Sequence, residues 1–143
     1  MLYFDTSALL PYYRTESDSD VIQSLLAAQN TPVLISQLAQ VEFASALARW
    51  VRMGELSEPQ ANLVEHAFHE DLVSERFLVQ PVEMAHFERA LHWLANRNTA
   101  LRTLDVLQLA CAERPNTILV TLDTVMRASA NYLGLRTYRF TSE

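Results

Sequence analysis

Hydrophobic and polar positions in this chain alternate between two regimes. Short runs are apolar throughout: Leu2-Tyr3-Phe4, Pro32-Val33-Leu34-Ile35, Phe77-Leu78-Val79, and Thr117 to Leu122 (TILVTL), which is also rich in β-branched residues. Such runs predict strands buried on both faces. Between them, longer stretches repeat at helical spacing. Ser17 to Gln29 places Val21, Leu25 and Ala28 on one face. Ser36 can cap a helix running to Met53, with Gly54 as its left-handed stop. Ser57 and Gln60 have capping-box spacing, Pro59 suits a first turn, and Ala61, Val64, Phe68 and Leu72 form an apolar stripe. Met84, Phe87, Leu91 and Leu94 form another. Thr103 can cap a helix through about Glu113, Asp123 to Leu133 is helical with Gly134 closing it, and Arg136 to Phe140 can add an edge strand.

Strands alternating with helices predict an α/β fold, a parallel sheet covered on both faces. At 143 residues, with no linker, repeat or low-complexity tract, residues 1–143 form one domain. No apolar run reaches the ~18 residues a membrane span needs, and Asp5 interrupts the N-terminal apolar stretch too early for a signal peptide. A single cysteine, Cys111, rules out an internal disulfide framework. Together these features point to a cytoplasmic protein without membrane attachment. Two glycines, Gly54 and Gly134, are too few and too far apart for a dinucleotide fingerprint or a phosphate-cradling loop. Eleven basic residues stand against 17 acidic ones, net −6, a balance unusual for a general nucleic-acid binder. All the basic residues are arginine, so no mechanism built on a catalytic lysine is available.

Most acids lie in polar segments and read as solvated or helix-terminal charges. Four do not. Asp5 and Asp123 each follow directly on a predicted strand, Asp105 lies in the first turn of the Thr103 helix, and Glu42 has Leu38, Ala39, Ser45 and Ala46 as its helical neighbours. Right-handed crossovers bring all four to the carboxyl edge of a parallel sheet, where α/β proteins bind ligands. At ~6 Å and an effective dielectric of ~20, each carboxylate pair there repels by about 3 kcal/mol. Aspartates at strand ends are also common helix caps. A divalent cation is the simplest remedy for four converging acids, and an all-oxygen donor set suits Mg²⁺ or Mn²⁺. Such an ion acidifies water and stabilises charge on a phosphate oxygen, the chemistry of phosphodiester hydrolysis to a 5′-phosphate and a 3′-hydroxyl.

The opening Leu2-Tyr3-Phe4-Asp5-Thr6-Ser7-Ala8-Leu9 resembles the first motif of PIN-domain proteins. Ser36-Gln-Leu-Ala-Gln-Val-Glu42 resembles the second, Leu101 to Ala110 (LRTLDVLQLA) the third, and Thr121-Leu122-Asp123 with the helix to Gly134 the fourth. Order, spacing and length are similar to those of the small bacterial VapC-like toxins. The resemblance implies a three-layer α/β/α fold with a central five-stranded parallel sheet. It implies a Mg²⁺- or Mn²⁺-dependent endoribonuclease, a homodimer, and a cognate antitoxin that lies across the active site. Asp5, Glu42, Asp105 and Asp123 would be the catalytic and metal-binding acids, with Thr6 and Thr121 in supporting roles. Arg102 is a candidate for contact with substrate phosphate, or for a structural salt bridge.

Two other functions compete: a non-catalytic module of this fold that binds RNA or protein, and an aspartyl phosphoacceptor or phosphohydrolase. The second usually needs a further acid near Asp5 and a lysine, and the chain has Thr6-Ser7 and no lysine there. Other features read as structural. His66, His69 and Glu70 lack zinc-site spacing, Cys111 reads as a small buried hydrophobe, and Trp50, Trp93 and Tyr12-Tyr13 read as packing residues. Arg14, Arg49 and Arg52 are weaker phosphate candidates.

Overall fold

A computed structural model describes residues 1–140. Four short strands, β1 (Leu2–Phe4), β2 (Val33–Ser36), β3 (Phe77–Gln80) and β4 (Ile118–Val120), form one sheet in the order β3-β2-β1-β4, every pair parallel. Seven helices connect and cover them: α1 (Thr6–Tyr13), α2 (Ser19–Ala27), α3 (Gln37–Arg52), α4 (Glu58–Val73), α5 (Met84–Ala95), α6 (Thr103–Ala112) and α7 (Thr124–Tyr132).

The strand side chains alternate between two cores. Leu2, Phe4, Val33, Ile35, Phe77 and Val120 face a core shared with helices α1 to α4. Tyr3, Leu34 and Leu119 face the other, shared with α5, α6 and α7. This two-residue period is the physical origin of the three layers. The fold class is as expected, but the sheet has four strands where the resemblance implies five. Residues 136–140 contribute a single parallel bridge, Thr137 to Leu119, with Leu119 N donating to Arg136 O at 2.9 Å and Tyr138 N to Leu119 O at 2.8 Å. Past that rung Phe140 leaves the edge for the core and stacks on Tyr138 at 5.0 Å.

Helix ends follow the sequence signals in most places. Ser36 caps α3 through Ala39 N, Gly54 takes φ +76° beyond its end, and Ser57 and Gln60 close a full capping box on α4. The N-cap of α6 is Arg102, with Thr103 its first helical residue, so the expected Thr103 cap is displaced by one position. Two helices bury a different face from the one their apolar stripe marked. On α2 the inward residues are Ser19, Ile22, Leu25 and Leu26, while Val21 and Ala28 are exposed. On α5 they are Ala90 and Trp93, leaving Met84, Phe87 and Leu91 at 72%, 52% and 70% exposure. The small Ala90 and flat Trp93 pack on α6, and that contact, not the longest apolar stripe, sets the helix rotation.

Candidate active site

The site begins where β1 ends. Asp5 leaves the strand in extended conformation and caps α1, its Oδ1 accepting from Ala8 N at 3.1 Å. Ser7 Oγ donates to the same oxygen at 2.7 Å, and Thr121 Oγ1 donates to Oδ2. Thr121 directly follows β4, as Asp5 follows β1, so adjacent parallel strands deliver donor and acceptor to one edge. Asp5 is only 3% exposed. Burial pushes its carboxyl pKa up to about 6, against the pull of the two hydroxyls and the Ala8 N–H, and the charge of Asp123 raises it further.

Asp123 follows Thr121 and caps α7, its Oδ1 accepting from Val125 N at 2.9 Å and Met126 N at 3.1 Å. Its own backbone N–H donates to Thr121 Oγ1 at 3.1 Å, so Thr121 couples the two aspartates. Asp105 lies in the first turn of α6, half-buried. Burial raises its pKa, the Arg102 N–H opposes this, the charges of Asp123 and Glu42 raise it again, and the Arg102 charge lowers it. Arg102 is therefore an electrostatic neighbour of Asp105, itself exposed and without an ion pair among the described residues.

Glu42 rises from the second turn of α3. Its Oε1 accepts from Thr6 Oγ1 at 2.7 Å and from Gln108 Nε2 at 2.9 Å. Gln108 also donates to Thr6 Oγ1 at 3.2 Å, while its Oε1 accepts from Tyr3 OH at 2.5 Å and Ser36 Oγ at 3.4 Å. Sequence patterning passes over Gln108, Ser7, Tyr3 and Ser36 as site residues. A signal for Gln108 does exist: it is the one polar residue in the fully buried run Val106 to Ala112, and a buried amide must find partners.

Asp5, Glu42 and Asp123 thus lie at the carboxyl ends of β1, β2 and β4 or on the helices that follow, while Asp105 comes in on α6; the charge of Asp123 reaches Asp5 and Asp105, and that of Glu42 reaches Asp105. Coordinating capacity remains on their oxygens. Three donors fill three of the four lone-pair positions of Asp5, and among the described residues nothing is bonded to Glu42 Oε2 or Asp123 Oδ2. No three Asp, Glu, His or Cys side chains among the described residues are gathered tightly enough to enclose an ion.

The other candidates resolve as structure. Tyr13 sits in an aromatic cluster with Phe43 and Phe68, 5.4 Å from each, and Arg14 lies 4.2 Å over Trp50 while pairing with Glu55. His66 faces Glu70 at 3.8 Å on an exposed helix surface. Cys111 is fully buried, its thiol pushed up to about 11 by desolvation. Among the described residues no helix is long and apolar enough to cross a membrane.

A sheet of this order carrying acids at its carboxyl edge defines the class of α/β proteins that work beyond their strand ends. The chain belongs to the PIN domain family, whose model matches residues 2–131. Its fold is that of several solved structures. One is the Mycobacterium tuberculosis VapC20 toxin, described as sarcin–ricin loop cleaving (15% identity, TM-score 0.72, covering 98% of this chain and 100% of that one). Others are FitAcB from Neisseria gonorrhoeae (16%, 0.71, 97% and 97%) and VapBC2 from Rickettsia felis bound to a promoter DNA fragment (16%, 0.70, 98% and 99%). No curated protein sequence matches the chain.

Proposed function

We propose that this protein is a divalent-metal-dependent endoribonuclease, the toxin of a toxin–antitoxin pair. One observation carries the proposal: Asp5, Glu42, Asp105 and Asp123, far apart in a PIN-family sequence, are linked in space by charge, Asp5 to Asp123, Asp123 to Asp105 and Asp105 to Glu42. Asp5, Glu42, Asp105 and Asp123 would hold Mg²⁺ or Mn²⁺. The bound ion supplies a lowered pKa for water and charge neutralisation at a phosphate oxygen.

The chain's own residues do the rest. Thr121, Ser7 and Ala8 N fix the Asp5 carboxylate, and Thr6 and Gln108 fix Glu42, so neither acid reorganises when substrate arrives. Asp105, half-exposed, would accept a proton from the attacking water. Asp5 makes a poor phosphoacceptor, because it is buried and three donors already hold its oxygens. The cognate antitoxin belongs to the same proposal, supported by fold likeness to complexes such as VapBC2. So does a homodimer, for which the exposed apolar stripe of α5 is available.

The test is cleavage of a structured RNA by the purified protein. Cleavage should require added Mg²⁺ or Mn²⁺, vanish in EDTA, and fall by at least a hundredfold in a folded Asp105→Asn variant. Cleavage that persists in EDTA, or an Asn variant of full activity, overturns the proposal. RNA binding without cleavage under every divalent ion would identify a non-catalytic module instead.

A further inference from the structure

A net charge of −6, with four carboxylates at the proposed active site, repels a polyanionic substrate. The arginines that could offset this are not spread evenly. Arg14, Arg76 and Arg89 are each tied to an acid, Glu55, Asp71 and Glu113 respectively. Arg127, Arg136 and Arg139 instead line one open cleft of about 810 Å³, together with Asn131 and Thr137 and with no acidic residue. Arg136 and Arg139 are exposed, and neither forms an ion pair with any described residue.

The cleft lies between α7 and residues 135–139, which bridge to the outer edge of β4. It adjoins the proposed active site at two points. Arg127 Nη2 donates to the carbonyl of Thr121 at 2.9 Å, and the Thr121 hydroxyl holds Asp5. The parallel bridge pairs Thr137 with Leu119, so both chains run toward the same sheet edge, Arg139 two residues past the bridge on one and Thr121 on the other. The polar groups between the guanidiniums are themselves ordered, Thr137 Oγ1 donating to Asn131 Oδ1 at 2.9 Å. Guanidiniums with amide and hydroxyl groups between them match phosphate and sugar oxygens, which set register on a nucleic acid without reading its sequence.

We propose that this cleft binds the sugar–phosphate backbone of the RNA strand on the flank of the active site, with Arg136 and Arg139 contacting phosphates. The inference rests on the nuclease reading for the identity of the polyanion. Its test measures binding alone. A fluorescent single-stranded RNA is titrated in EDTA, at several salt concentrations, with wild type, the Arg136→Gln/Arg139→Gln double variant, and an Arg97→Gln/Arg114→Gln control that removes equal charge from exposed positions outside the cleft. Melting curves check that all three are folded.

The cleft variant should bind at least tenfold more weakly at low salt. Its slope of log affinity against log salt should flatten by about 1.4, roughly 0.7 for each single-strand phosphate that an arginine no longer neutralises. The control variant should keep the wild-type slope. Equal losses in both variants mean a diffuse charge effect and overturn the assignment. Unchanged binding by the cleft variant, with wild type still cutting RNA under Mg²⁺, overturns it while sparing the nuclease reading. A wild type that binds RNA through the cleft but cuts nothing sinks the nuclease reading and keeps the cleft. A cleft variant that binds RNA normally but loses affinity for polyglutamate makes the cleft a dock for an acidic protein segment, which also overturns the proposal.

Discussion

Replacing Gln108 with leucine tests the hydrogen-bond hub behind the site. Gln108 is 2% exposed, and its amide joins Tyr3 and Ser36 on one side to Thr6 and Glu42 on the other. Leucine conserves most of the volume, so the cost is polar. The buried Tyr3 hydroxyl loses its acceptor, at about 1–3 kcal/mol, and Glu42 loses one of two charge-assisted donors, at about 1.5 kcal/mol for a half-buried carboxylate. The 3.4 Å contact to Ser36 adds little. The total is about 2.5–4.5 kcal/mol, a fall in Tm of roughly 8–18 °C for a domain of this size. Tyr3→Phe alone should cost about 1 kcal/mol. In the double variant no hydroxyl is left stranded, so its cost should fall short of the sum of the singles by about 1–2 kcal/mol. Urea unfolding with linear extrapolation gives all three values. Strict additivity, or a Gln108→Leu cost under about 1 kcal/mol, would refute the hub as a coupled unit.

Two more expectations follow from the same geometry. The folded pKa of Asp5, about 6, lies above its ordinary 3.8, so its contribution to stability is fully present below pH 3.8 and is lost as pH rises through 6. Across that window, in EDTA, wild type should lose on the order of 3 kcal/mol relative to Asp5→Asn, and a difference that stays flat from pH 4 to 7 would show that Asp5 titrates normally. Leu91→Glu places a charge in the exposed α5 stripe and should convert a wild-type dimer to monomer in light scattering, and a wild type that is already monomeric at high concentration removes the dimer from the proposal.

The layers of this fold are legible because its strands are short, apolar and β-branched while its helices carry caps at the right spacing. Ser36, Gly54 and the Ser57–Gln60 pair act locally, so the residues themselves suffice to place them. Helix rotation is a tertiary property and is not legible in the same way. On α5 the most hydrophobic stripe faces solvent, because close approach to α6 selects Ala90 and Trp93. The fifth strand is a tertiary matter too: among the described residues, 136–140 hold a single bridge at the edge and Phe140 is buried in the core. At the site, the acids stand out because charge in apolar surroundings needs an explanation. Their supports do not, since a serine after Asp5 or a tyrosine in a strand is unremarkable until the contacting atoms are known.

Helix α6 has every residue from Val106 to Ala112 buried, unlike the half-exposed helices around it. A rod enclosed on all sides has no free face about which to swing, and its neighbours would have to part before it could slide. Asp105 and Gln108 therefore ride on an immobile axle. Any group that meets these two side chains meets them at a fixed separation.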